Sequence, residues 1–212
     1  MFDLIKAFKR IPEEKKIVFF GKVNIIKNLL YFLFKIIVGI IFKSGLLIAI
    51  AIYNVLIGVV KANCTHGLKK NQDSIHDCNR YIQGGSIIAI SSIFYILYAI
   101  LQVVYPTNTK YTLVIAIIIA LFSTINIVTS IVGAVRAKGK TLLVKEYKLS
   151  SLATAFNGLV LTQIAILSVM VTNDMSQYNS IFSIIIGAFI LILGLYLIID
   201  GHAKKKVIKQ QA

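Results

Sequence analysis

CTHGLKKNQDSIHDC, residues 64–78, holds both cysteines and two of the three histidines of the chain, arranged as C-x-H…H-x-C. Thiolate sulfur and imidazole nitrogen are zinc's usual ligands, and Cys64, His66, His76 and Cys78 make up a Cys2His2 set able to hold Zn²⁺ tetrahedrally. One intervening residue in each half is tighter than the usual two to four. The same two cysteines could close a disulfide loop in an oxidising compartment. A plainer reading needs no ligand: the helix over 45–60 runs on to about Leu68, turns at Lys69–Asp73 and leads into the next apolar block. The favoured expectation is this plain one, with no cofactor and Zn²⁺ as the only candidate.

Other chemistry is sparse. Residues 134–141, AVRAKGKT, fit a loose phosphate-loop pattern, but that motif needs a strand before it and an α/β domain around it. Neither is indicated here. The eight acids fall at positions 3, 13, 14, 73, 77, 146, 174 and 200. None lies deep in an expected span, so carboxylate-coupled proton transport and intramembrane hydrolysis are not expected. Asp200–His202 reads as a helix end. No enzyme activity is expected.

The elements that would carry these residues are apolar and long. With 58% hydrophobic residues and a mean hydropathy of +0.83, the chain exceeds an ordinary soluble domain. Blocks 86–105, 111–135, 152–172 and 181–199 contain no Asp, Glu, Lys, Arg or His. About 20 helical residues match the roughly 30 Å hydrocarbon layer. Only a helix satisfies its own backbone in such a segment. The expected fold is all-α, a polytopic transmembrane bundle of four long spans preceded by a helical hairpin (24–42 and 45–60). Around it the sequence sets a charged leader over 1–22, a membrane domain over 23–200 with a cytoplasmic loop at 62–85, and a basic tail over 201–212. No signal-peptide cleavage pattern follows the leader.

The first arm of the hairpin carries Asn24, Lys27, Asn28, Tyr31 and Lys35 at helical spacing, one polar stripe on an apolar helix. The stripe could face interfacial water or other helices. A lysine at mid-bilayer costs about 2.5–3.5 kcal/mol, which argues for a shallow or tilted path. Lys43-Ser44-Gly45 suits the turn. With the hairpin in place, 19 of the 23 Lys and Arg residues fall on the side of the N-terminus and two on the other. By the positive-inside rule both termini are then cytoplasmic, where thiols stay reduced and a Cys64–Cys78 disulfide is disfavoured. The charge of +15 sits in loops without aromatic interleaving, so anionic lipid head groups, not nucleic acid, are the expected partner.

Polar and small residues recur in stripes within the spans: Ser91, Tyr95, Tyr98 and Gln102; Ser123, Asn126, Ser130 and Gly133; Ala155, Gly158, Thr162 and Ala165; Gly187 and Gly194. Such residues glue membrane helices together. They could also line a polar path through Asn54, Gln102, Asn126 and Gln163. Two stretches, FKSGLLIAIAIYNVLIGVVK (42–61) and EYKLSSLATAFNGLVLTQIAIL (146–167), resemble uncharacterised multi-span membrane proteins of low-GC bacteria, a resemblance that implies no activity or site. The functional expectation is a small non-enzymatic membrane protein working through contacts with a membrane-protein partner or its own copies, in an accessory, immunity or scaffolding role. The alternative is a minimal oligomeric channel or carrier for a small solute.

Overall fold

Lipid offers no hydrogen-bond partner to a backbone, so apolar blocks of this length must close their bonds internally. In the computed structural model, which describes residues 17–18, 29–30, 32–70, 74–106, 110–136, 141–170 and 175–211, they do so as helices, and no strand occurs among these residues. A short helix α1 (Phe32–Ile41) is followed by α2 (Gly45–Lys70), α3 (Ser74–Val104), α4 (Leu113–Arg136), α5 (Leu142–Met170) and α6 (Ser176–Gln211). The last five are long and apolar enough to cross a membrane. Their outward faces carry large exposed side chains such as Phe94, Leu121, Phe122, Ile125 and Phe189. An apolar girdle of that extent is untenable in water. The chain is a multi-pass, all-α membrane protein.

The turn between α1 and α2 follows from local chemistry. Ser44 N donates to Gly39 O at 2.8 Å and Lys43 N to Ile40 O at 3.2 Å, closing α1 with Lys43 in the left-handed region at φ 50°. This is the bond pattern that normally takes glycine at the left-handed position. Ser44 then caps α2, its Oγ accepting from Leu47 N at 3.4 Å. Tyr111 donates to Ser44 Oγ at 3.4 Å and stands edge-on to Phe42, which pins the turn to the far end of the bundle.

Two antiparallel pairs dominate the packing, α3 with α6 and α4 with α5. Gly187, Gly194 and Gly201 stand seven residues apart on α6 and press against α3. At Gly194 the approach is closest: a methyl there would stand 2.7 Å from the Ala89 backbone nitrogen. Small residues at a seven-residue step keep one seam of a helix facing its partner. Helix α2 packs on both α3 and α5 and closes the seam between the pairs, whereas among the described residues α4 packs on α5 alone.

Helix limits differ from those expected. Helix α2 ends at Lys70 and α3 starts at Ser74, as the plain reading with a turn at Lys69–Asp73 expects, although the rest of the expected loop at 62–85 is helix; α5 starts at Leu142, ten residues before the expected 152; and α6 carries the basic tail on as helix to Gln211. Hydropathy marks where lipid ends, and these helices continue past it because side chains of neighbouring helices support them. Lys35 does not face interfacial water, since it is only 3% exposed. Of its stripe, Asn24, Lys27, Asn28 and Tyr31 lie outside the described residues, as does most of the leader.

Candidate functional site: a buried acid and an interior polar line

One end of the bundle gathers the end of α2, the starts of α3 and α5 and the last third of α6. Gly67 of α2 lies against Leu143 and Arg80. Lys145 bridges Asp200 at 2.8 Å and Tyr196 Oη at 2.7 Å. Tyr81 donates to the same Asp200 oxygen at 3.0 Å, and Lys205 donates to Asn79 at 2.6 Å. Asp200 is therefore no bare helix end, because it ties α3, α5 and α6 together. Its neighbour His202 faces outward, with its ring nitrogen on the Ile198 carbonyl of its own helix.

Glu146 lies inside this end. The residue is 0% exposed, and neither carboxyl oxygen has a hydrogen-bond partner among the described residues. Gly84 leaves the space it occupies, since a methyl on Gly84 would collide with Oε1 and meet Val60. The Cys64 thiol lies beside the carboxyl outside hydrogen-bond geometry, and Arg80 and Asp77 are within charge-interaction range. Arg80 donates to Asn63 O at 3.3 Å, tying α3 to the last turns of α2. No acid was expected deep in a span, and Glu146 lies outside the expected span 152–172, yet it is fully buried. Position 146 precedes the apolar block, but α5 begins early enough to carry it in between α2 and α3.

The four residues of the zinc reading do not converge. Cys64 and Cys78 are buried and free, while His66 and His76 are exposed. Cys64 and His66 ride on α2, His76 and Cys78 on α3. A helix separates residues two apart by roughly 200°, so each Cys points inward and its histidine outward. No three His, Cys, Asp or Glu side chains among the described residues are grouped to hold a metal.

The proposed path residues are spread likewise. Gln102 meets Tyr98 Oη at 3.4 Å at the far end of the bundle, and Gln163 meets Asn179 at 3.4 Å. Asn126 is half-buried on α4, which touches neither α2 nor α3 among the described residues. Only Asn54 joins an interior group. Its amide nitrogen and oxygen are shielded and unpaired among the described residues, as are the Tyr53, Tyr95 and Ser123 hydroxyls and both amide atoms of Asn157. Asn157 is 0% exposed. It was not singled out from the sequence, although Glu146, Ser150, Ala153 and Asn157 recur at steps of 4, 3 and 4. All four are buried, so one face of α5 runs inward from the acid.

Register sets the height of these groups. Contacts of Gly67 with Leu143 and of Lys61 with the Tyr147 ring (6.0 Å) align α2 antiparallel to α5. The same alignment brings Tyr53 and Asn54 to the height of Asn157. Tyr95 of α3 is at that height through its ring contact with Tyr53, 6.2 Å between centroids, and Ser123 of α4 through its packing on Gly158. The interior thus carries a charged cluster at one end and an unpaired polar layer midway along.

No protein-family model, no curated protein and no solved structure matches this chain.

Proposed function

We propose that the protein is a small carrier or channel of the membrane, passing a polar solute along the seam that α2 closes between the two helix pairs. Glu146 carries the reading. An unpaired buried polar group costs about 1–3 kcal/mol, and more when charged, so an ionisable residue in a membrane bundle is by default a functional group. A purely accessory role leaves the fully buried Glu146 without a use. In this reading Glu146 marks the basic mouth of the seam and both termini are cytoplasmic, as the 19-to-2 division of Lys and Arg supports. Exposed Lys69, Lys70, Lys206 and Lys209 suit anionic head groups at that face. No covalent chemistry is assigned to the chain.

The partner-contact reading retains one observation in its favour. Helix α6 has 36 residues, a length of about 54 Å at 1.5 Å per residue, and so extends well past one lipid face as a basic arm. Flux measurements on purified protein in liposomes separate the two. Transport predicts that water, glycerol, urea, potassium or chloride crosses faster than in protein-free vesicles, with Glu146→Gln reducing that flux about tenfold or more. If none crosses faster, transport fails and the accessory role stands.

A further inference from the structure

We infer that the middle of the bundle is a hydrated chamber that takes small neutral hydrogen-bonding molecules, water and solutes of the size of urea or glycerol, and not ions. This rests on the transport reading for its use, and on the unpaired layer itself for its existence. Tyr53, Asn54, Tyr95 and Asn157 share one height, come from α2, α3 and α5, and leave buried donors and acceptors unmet among the described residues, as does Ser123 at the same height on the α4 side of α5. The two amides alone offer four N–H donors and two carbonyl acceptors. Ser183 is close to the Tyr95 hydroxyl, but outside hydrogen-bond geometry, and its own hydroxyl is given to Asn179 O at 2.6 Å. A dry interior would carry the desolvation cost of several such groups at once. Water or a water-like solute with both donors and acceptors removes it.

The charge around the layer selects against ions. Residues 46–60, 81–104, 113–135, 149–170 and 175–199 of the long helices contain no Asp, Glu, Lys, Arg or His. Glu146 is eleven residues from Asn157, about 16 Å along the helix. One buried cation approaches this height: with Gly39 against Ile48, the hairpin register brings Lys35 level with Ile52. A lysine there repels cations, and a hydrated neighbourhood lowers the cost of keeping it buried. Among the described residues the other partners at this height are neutral, which gives a desolvated anion few counter-charges. What fits is a solute that exchanges hydrogen bonds without bringing a charge.

Stopped-flow permeability of proteoliposomes tests this with water, urea, glycerol, potassium and chloride as separate probes. Wild-type protein should raise neutral permeability over protein-free vesicles, and Asn157→Leu and Asn54→Leu should each cut it about tenfold or more. The lipid-facing variant Thr124→Val should match wild type. Raised water flux without urea or glycerol flux restricts the chamber to water. Ion flux with neutral probes at background overturns the neutral class and leaves transport standing. If nothing crosses, transport falls, and thermal unfolding decides the chamber by itself: Asn157→Leu melting several degrees below wild type supports hydration, and melting above it means a dry interior and ends the inference. Matching size-exclusion profiles establish that each variant is folded, and Asn54→Leu replaces Asn157→Leu should the latter aggregate.

Discussion

Replacing Glu146 by methionine should make this protein more stable and less active. The carboxyl is fully buried with neither oxygen hydrogen-bonded among the described residues, and methionine has nearly the same length and volume. Removing an unmet buried polar group recovers about 1–3 kcal/mol, and hydrophobic replacement of buried ionic groups often stabilises by a similar amount. In a chain of this size 1 kcal/mol corresponds to roughly 2–4 °C, so the melting temperature should rise by about 3–9 °C. Glu146→Gln, which keeps an unmet amide, should change it little. Thermal unfolding in detergent, followed by intrinsic tyrosine fluorescence or helical circular dichroism, reads the stability, and liposome flux reads the activity. A fall of several degrees in Glu146→Met would refute the reasoning. It would mean that the carboxyl holds α2, α3 and α5 together through Arg80 or Cys64, and the functional claim on Glu146 would lose its basis.

Three further outcomes follow from packing and backbone geometry. Gly194→Ala places a methyl 2.7 Å from the Ala89 backbone nitrogen; overpacking of this kind costs about 1–3 kcal/mol, and a lowered unfolding midpoint in mild detergent would register it. Lys43→Gly relieves a left-handed residue at φ 50° that costs an L side chain about 1–2 kcal/mol. Part of that gain is lost to the freer unfolded chain, so the melting point should rise slightly, by an amount equivalent to less than about 1 kcal/mol. Asp200→Asn breaks the 2.8 Å bridge to Lys145 and weakens the bond from Tyr81. With both partners partly exposed the loss should be about 1 kcal/mol or less, and the gap between variant and wild type should narrow as salt rises.

Composition made the fold legible. A hydrocarbon solvent forbids unpaired backbone, so runs of apolar residues at 86–105, 111–135 and 181–199 could only be helices, and their length fixed their role as spans. A turn at Lys43-Ser44-Gly45 was readable too, but the structure alone put the left-handed residue at Lys43 and the cap at Ser44. The break between α2 and α3 near Lys69–Asp73 was readable as well, but the start of α5 and the end of α6 were not. Hydropathy falls where lipid gives way to water, but α3, α5 and α6 continue beyond that point on contacts such as those of Asp200 with Tyr81 and Lys145, and such contacts join residues more than fifty positions apart in sequence.

From its own residues the chain determined a membrane-spanning helical bundle, since solvent preference and helix length are local properties. Which polar groups are buried together was decided only by the tertiary structure. Inward direction depends on how one helix is rotated and slid against another, and that register came from Gly84, Gly67 and the glycines of α6 admitting close approach. The same register turned Cys64 and His66 to opposite faces, enclosed Glu146, and brought Tyr53, Asn54 and Asn157 to one height.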